Sequence, residues 1–439
     1  MTSEPPNSHG AVALGEHDPY AALREANFRR YLLGNFLSTM GLQMQIVFVE
    51  QEVYQRTDST LALGLIGLVQ LLPVILLALV TGHVADRFDR KWVLIVAMAA
   101  ITISSLGLAC ISFWQGSIPS VFACVLVIGV ARAFHQPAKA SLLTQIVPRP
   151  VFANAVTWST GTFQLATAVG PVVGGWMVWK YGNYALVYVC NAVMAISFCG
   201  LLLGVRRFAS TPVSQSATFK SLVAGVVFVW RKKILLAAMA LDMFAVLLGG
   251  AVALLPVYAS DKILNVGPAG LGWLRASQAI GALTMGFVLA HRRPMERAGK
   301  ALLWSVAGFG VATIVFGFSR WYWLSLATLF LTGALDNVSV IVRQTLVQLL
   351  TPDEMRGRVS AVNSMFIGAS NELGAFESGA VAALFGGGAV GVTTSVVSGG
   401  VGTLVIVGAL AALAPQLRRY GRLDGSDADS PPVETTVSV

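Results

Sequence analysis

The chain has 439 residues, 55% of them hydrophobic and only 12% charged, with a formal net charge of +9. A soluble globular chain carries about 25% charged residues, so this composition excludes a soluble enzyme and defines a polytopic membrane protein. The basic balance could suit nucleic acid, but the cations sit in short loops between apolar runs rather than on one soluble face, which argues against that partner.

Residues 1–27 are polar, with Pro5 and Pro6 and no apolar core ahead of a cleavage site, so they read as a cytoplasmic tail and not a signal peptide. Phe28-Arg29-Arg30 anchors a first apolar segment at 30–54. Further segments follow at 61–81, 92–113, 118–137 (closed by Pro137), 153–178 and 184–205. Each is close to the ~20 residues a helix needs to cross a bilayer. A polar link begins at Arg206, and residues 219–233 read as an amphipathic interfacial helix with a basic end. Six more segments are expected at 234–258, 269–291, 301–319, 322–343, 359–384 and 389–413, before a tail at 414–439 that is basic, then acidic and polar. Cys110, Cys124, Cys190 and Cys199 all lie inside apolar segments and form neither a metal pattern nor a secreted disulfide pattern.

Twelve spans place both termini on one side. The loops on that side hold nearly all the lysines and arginines, Lys139 and Arg343 counted among them; Arg56, Lys180, Lys262 and Arg320 fall on the other. That asymmetry predicts cytoplasmic termini. An internal repeat has a constant offset of 204, as in 286 − 82, 333 − 129, 343 − 139, 352 − 148, 374 − 170 and 379 − 175. It pairs Lys139 with Arg343, Pro148 with Pro352, and Arg132 with Asp336 in reversed charge. The expected architecture is all-α, twelve transmembrane helices in two six-helix, pseudo-symmetric halves. The halves are 28–205 and 234–413, joined by a cytoplasmic linker at 206–233.

The loop between the second and third segments is Gly82-His83-Val84-Ala85-Asp86-Arg87-Phe88-Asp89-Arg90-Lys91. Gly82, Asp86, Arg87, Arg90 and Lys91 stand at a spacing that resembles the loop between helices 2 and 3 of the major facilitator superfamily. Gly170-Pro171-Val172-Val173-Gly174-Gly175 resembles the core of that superfamily's antiporter motif, although Thr157 and Ala166 replace glycines upstream. Phe28-Arg29-Arg30-Tyr31, Ala131-Arg132-Ala133-Phe134 and Thr351-Pro352-Asp353-Glu354-Met355-Arg356-Gly357-Arg358-Val359 look like the bacterial enterobactin-exporter and macrolide-efflux-like branch. The resemblance implies a major facilitator fold whose helices 1, 4, 7 and 10 line a central cavity. It also implies that the loop motif gates the cytoplasmic side, and that the helix 5 motif packs the halves together and tilts direction toward export. The polar outer part of helix 1 (Gln43, Gln45, Glu50, Gln51, Glu52) and His291-Arg292-Arg293 after helix 8 depart from the branch.

Ionisable groups inside spans are costly and default to functional candidates. Arg132, Asp336 and Asp242 sit at similar depths, so one cation and two carboxylates are expected to share the cavity, with Glu50 a further candidate. Asp242 is the first choice for a proton carrier, because Arg132 is expected to pair with Asp336; a permanent structural ion pair is the plain alternative for those two. Glu372 and Glu377 sit on different faces of helix 11, Arg275 is read as snorkelling, and Gln43, Gln164 and Asn337 are possible substrate contacts. No Gly-x-x-x-x-Gly-Lys-Ser/Thr run supports a nucleotide-driven pump. No cofactor or metal is expected. The expected activity is secondary active transport, with proton-coupled efflux of a small amphiphilic compound (drug-like molecule or siderophore) by a monomer in the bacterial cytoplasmic (inner) membrane. A lipid-modifying membrane enzyme and a non-transporting sensor or scaffold are the alternatives.

Overall fold

The computed structural model describes residues 18–421 other than 78–79, 82–83, 85–87, 206–218 and 293–294. The long helices are α1 (Ala26–Thr57), α2 (Thr60–Leu76), α3 (Arg90–Phe113), α4 (Ile118–Ile146), α5 (Phe152–Tyr181) and α6 (Ala185–Leu203). They continue with α7 (Lys233–Ala259), α8 (Gly267–Ala290), α9 (Ala298–Phe318), α10 (Tyr322–Leu350), α11 (Asp353–Leu384) and α12 (Gly388–Leu413). A short helix, Phe219–Arg231, lies against α11. No strand occurs among the described residues, as expected where a hydrocarbon core forces every backbone group to be satisfied within a helix.

Local chemistry sets the turns. Ser59 caps α2 by accepting from the Ala62 N–H at 3.3 Å, and Asp89 caps α3 by accepting from the Lys91 N–H at 2.9 Å. Asp58 (φ 50°) and Gly182 (φ 63°) close α1 and α5 in the left-handed region.

Eight of the twelve helices are long and apolar enough to span a membrane on those grounds alone; α2, α5, α8 and α11 are not. Those four join the halves, α5 packing on α8 and α2 on α11. A helix that spends one side against protein needs small residues for close approach more than it needs lipid-facing bulk. Gly175 of α5 meets α8, where a Cβ would stand 2.6 Å from the Pro268 carbonyl; Gly379 of α11 meets α2, where a Cβ would stand 2.7 Å from Gly64. These two contacts are images of one another under the 204-residue offset, since 64 + 204 = 268 and 175 + 204 = 379. Asp58 and Lys262, also 204 apart, meet each other directly, as mates near a pseudo-twofold axis should.

Three apolar cores show which end is closed. One combines both halves, with Met44, Phe48 and Tyr188 joining Leu254, Tyr258, Leu271 and Phe316. It lies at the end away from the chain termini, the distal end. At the terminal end there are two separate cores, one drawn only from residues 22–205 and the other only from 229–420. The halves therefore share apolar packing at the distal end, whereas toward the termini each half keeps a core of its own.

Several boundaries differ from the sequence reading; α11, for one, begins at Asp353, six residues before the expected 359. α4 continues through Pro137 to Ile146. A proline inside a helix costs about 3 kcal/mol, and burying Leu142 and Ile146, both fully enclosed, offsets it at roughly 1.5–3 kcal/mol each. α10 runs seven residues past Arg343, to Leu350. α7 is interrupted, its α-helical part ending at Leu248, with a 3-10 turn over Ala251–Leu254 and a last segment Leu255–Ala259. Gly250 explains the break: a Cβ there would collide with the Gly374 carbonyl and stand 2.5 Å from Ser378 Oγ, so α11 crosses α7 at backbone contact.

Candidate functional site

Two charge clusters occupy the middle of the bundle. The first links the halves. Arg132 of α4 donates to Gln70 of α2 and, at 3.3 Å, to Glu372 of α11, with side-chain exposures of 28% and 23% for the ion pair. Glu50 of α1 lies within electrostatic reach of Glu372 and of Arg275 on α8. Arg132, Gln70 and Glu372 thus meet between α4, α2 and α11, with the charges of Glu50 on α1 and Arg275 on α8 in the same region.

The second cluster belongs to one half. Asp242 of α7 and Arg343 of α10 form an ion pair at 3.1 Å, with side-chain exposures of only 5% and 2%. Ser339 donates to Asp242 at 3.4 Å and Arg343 donates to Asn363 at 2.8 Å. Asp336 lines the same small cavity as Asp242 and Ser339, and the charges it senses are Asp242 and Arg343. Among the described residues it forms no hydrogen bond or ion pair of its own. Two carboxylates therefore share an apolar enclosure that also includes Val246, Val306 and Phe309, with the Arg343 guanidinium paired to one of them.

The expected pairing of Arg132 with Asp336 is thus corrected. Arg132 pairs with Glu372 across the halves, whereas Asp336 lies beside the Asp242–Arg343 pair without bonding to it among the described residues. The sequence places Arg343 among the loop cations. It is buried because α10 extends past it, and it is the partner that the reading of Asp242 lacked. Gln70 carried no sequence signal at all, one glutamine in an apolar run. Glu372 was visible as an intramembrane carboxylate but had no visible partner.

The other expected residues separate. Gln43 donates to Thr167 of α5 at 3.1 Å. Gln164 and Asn337 are half-buried, and Asn337 Oδ1 finds no donor among the described residues. Gln45 and Glu52 have structural roles in the N-terminal half. Gln45 accepts from Asn191, which also donates to Ser105; Glu52 accepts from Tyr188 at 2.6 Å and pairs with Arg56 at 3.4 Å. Gly170 and Gly174 pack α5 onto α1, with Cβ positions 2.6 Å from the Met40 carbonyl and 2.6 Å from Phe48. The Pro171 carbonyl faces Gly272 of α8. Gly82, Asp86 and Arg87 lie outside the described residues. Arg90 opens α3, and Lys91 donates from Nζ to the Leu203 and Val205 carbonyls at 3.0 Å, tying down the end of α6.

At the distal face a cavity of about 570 Å³ lies between the end of α1 and the α7–α8 turn, lined by Gln51, Tyr54, Gln55, Asp58, Lys262 and Asn265. Across its mouth Lys262 donates to Asp58 and lies over the Tyr54 ring at 5.6 Å. The hydrogen bond from Lys262 holds the Asp58 carboxyl below the usual carboxylate range, and the same bond holds the Lys262 ammonium above its ordinary value. Among the described residues no group of three or more His, Cys, Asp or Glu stands together, and the four cysteines are free.

A helical bundle in two pseudo-symmetric halves, closed at one end and with charge buried between its helices, is the architecture of a membrane transporter, not an enzyme. The chain belongs to the Major Facilitator Superfamily, whose family model matches residues 31–375. It is similar to the enterobactin exporter EntS of Shigella flexneri, 27% identical over 401 residues that cover 90% of this chain and 93% of that protein. The enterobactin exporter EntS of Escherichia coli O157:H7 (strain EC4115 / EHEC) is likewise 27% identical over 406 residues, with the same coverage. Among solved structures it resembles a bacterial homolog of the human lysosomal transporter Spinster in an inward-facing, unoccupied conformation. That likeness has TM-score 0.71 at 16% identity, covering 90% of this chain and 98% of the other. The nucleoside transporter NupG matches with TM-score 0.67 at 14% identity, over 88% and 98%.

Proposed function

We propose that this chain is a proton-coupled exporter of a small amphiphilic compound, a siderophore or drug-like molecule, working by alternating access as a monomer in the bacterial inner membrane. The observation that carries the reading is the pair of clusters: a cross-half ion pair under the closed distal end, and a carboxylate–arginine–carboxylate cluster confined to the C-terminal half, in which Asp242 and Arg343 are buried and Asp336 half-buried. With the termini in the cytoplasm, as the loop cations favour, the end where each half keeps its own core faces inward and is poised to load cargo from the cytoplasm. The likeness to exporters at 27% identity supports the outward direction. Asp86 and its basic neighbours are the proposed closing element for the cytoplasmic face after loading.

The geometry favours Asp336 over Asp242 as the proton carrier. Asp242 already has a guanidinium at 3.1 Å and a serine hydroxyl. Asp336 adds a second negative charge to that enclosure, and one proton brings the three-group cluster to neutrality. A cluster that is neutral in one state and charged in the other couples proton occupancy to whether water can reach it. Transport of a compound panel into inside-out vesicles, with and without an imposed proton gradient, tests the reading. Gradient-dependent accumulation supports it, and gradient-independent equilibration of every compound refutes the coupling.

A further inference from the structure

We infer that Lys139, with the ring of Phe163 and the hydroxyl of Ser159, forms a subsite in the N-terminal wall of the cavity for the anionic group of an aromatic or otherwise apolar cargo. The inference rests on the transporter reading above and names the chemical class of its cargo.

The sequence supplies the first argument. Between Asp89 and Asp242 there is no aspartate or glutamate. Helices α3, α4 and α5 therefore contain cations, and neither they nor α6 contain an acid to balance them. Arg132 solves this by reaching across to Glu372 of the other half. Lys139, two turns further toward the terminal face on the same helix, forms no ion pair or hydrogen bond among the described residues.

Position supplies the second. α4 packs chiefly on α3 and α2, whereas α5 packs on α1 and α8. A contact between Lys139 and Phe163 therefore bridges two helices that do not form a packed pair, toward the end where each half keeps a core of its own. The Lys139 Nζ stands 5.9 Å from the Phe163 ring centroid, the outer limit of a cation–π contact. Phe163 is 40% exposed. An ammonium held that loosely keeps its donors free, and a ring that open offers its face to a guest. At a rise of 1.5 Å per residue, Lys139 and Ser159 lie at nearly the same depth, about 31 and 33 Å from the distal ends of their helices.

The third argument is a missing hydrogen bond. Thr157, Thr160, Thr162 and Thr167 of α5 each donate to the carbonyl four residues back. Ser159, one turn from Phe163 on the same face, does not, and among the described residues its buried hydroxyl has no partner. Nε2 of His135, one turn from Lys139, is likewise buried without one. A buried polar atom left without a partner is costly, and a carboxylate drawn to Lys139 brings acceptor atoms to this layer.

The repeat mate of Lys139 is Arg343, which is consumed by Asp242 and Asn363. Only the N-terminal half keeps its cation available, so the site is one-sided and orients an amphiphile.

Salicylate and its neutral, nearly isosteric amide, salicylamide, separate charge from shape. Binding to the full-length protein in nanodiscs of neutral phosphatidylcholine is read by tryptophan quenching. Wild type should prefer salicylate by roughly ten- to hundredfold, the size of a charge-assisted hydrogen bond. Lys139→Gln should abolish the preference and Lys139→Arg keep it. Phe163→Leu should weaken both ligands about equally, and Ser159→Ala should weaken salicylate alone. Melting temperatures within a few degrees of wild type confirm that the variants fold. No salicylate binding by wild type, no preference over the amide, or a preference that survives in Lys139→Gln overturns the inference. Uptake of the broader compound panel into vesicles judges the transporter reading separately, because a transporter without an anion subsite still moves cargo.

Discussion

Lys139 and Arg343 occupy matching positions in the two halves, and their surroundings are opposite. Arg343 is 2% exposed, locked to Asp242 and Asn363. Lys139 faces an open ring in a half that has no acid beyond Asp89. Asp242 itself has Ser38 as its mate, and Ser38 merely donates to Met98 Sδ at 3.2 Å. Duplication fixed where the helices lie, and substitution at a few matched positions then divided the work. On the reading proposed above, the C-terminal half holds a charge cluster that one proton neutralises, and the N-terminal half keeps a cation for cargo.

The largest expected break in that comparison is in stability. Arg343→Gln leaves Asp242 buried and unpaired, which costs about 3–5 kcal/mol, whereas Lys139→Gln removes no ion pair and should cost well under half of that. Denaturant unfolding in mixed micelles measures both. The double variant Asp242→Asn/Arg343→Gln should recover most of the loss. Equal destabilisation by the two single variants would erase the distinction between the halves.

Next in size is the distal seal. Gly175→Leu forces a side chain against the Pro268 carbonyl, and overpacking of this kind costs about 1–3 kcal/mol. The cost falls on the distally closed state alone, so a cysteine at Gln51 should react faster with a membrane-impermeant maleimide. Glu372→Gln weakens the cross-half pair while Gln70 still holds Arg132. The pair is partly exposed, so a shift of about 1 kcal/mol, near fivefold in population, is expected in the same labelling assay. An unchanged labelling rate would mean that the pair does not report the conformational equilibrium.

Smallest is the Asp58–Lys262 contact, since exposed ion pairs contribute about 0.2–1 kcal/mol. Its pH window follows from the two shifts. The Asp58 carboxyl is held low, so its contribution is present above the usual carboxylate range and fades as pH falls through its lowered value. The Lys262 ammonium is held high, so its contribution is present below the usual lysine range and fades as pH rises through its raised value. Between those limits distal labelling, corrected for the thiolate fraction of the probe cysteine, should be flat in pH and should rise slightly with salt. A labelling step near neutral pH that Asp58→Asn removes would contradict this.

The fold was legible because it is written in long-range regularities. Apolar runs counted the helices, and a 204-residue offset anticipated the two halves; Gly64–Gly379 and Pro268–Gly175 are the same contact made twice. The charge partners were less legible. Whether Arg343 is a loop cation or a buried one turns on two more turns of helix, and the sequence around it, Val342 to Leu350, reads equally well either way. Arg132 chose Glu372 over Asp336 because of how α4 and α11 face one another across the halves, which no spacing within one helix encodes. Pro137 misled for a local reason: a proline is a helix stop only when nothing beyond it is worth burying.

The central claim, protons in one half and cargo in the other, is tested most directly by uptake into inside-out vesicles, with wild type, Asp336→Asn and Lys139→Gln compared side by side on the best cargo of the panel. The account predicts that Asp336→Asn still exchanges cargo downhill but no longer concentrates it when a proton gradient is imposed. It predicts that Lys139→Gln requires more cargo for half-maximal uptake, roughly tenfold more, yet keeps the same dependence on the gradient. Uphill accumulation by Asp336→Asn, or a loss of gradient dependence in Lys139→Gln at unchanged cargo affinity, would contradict it.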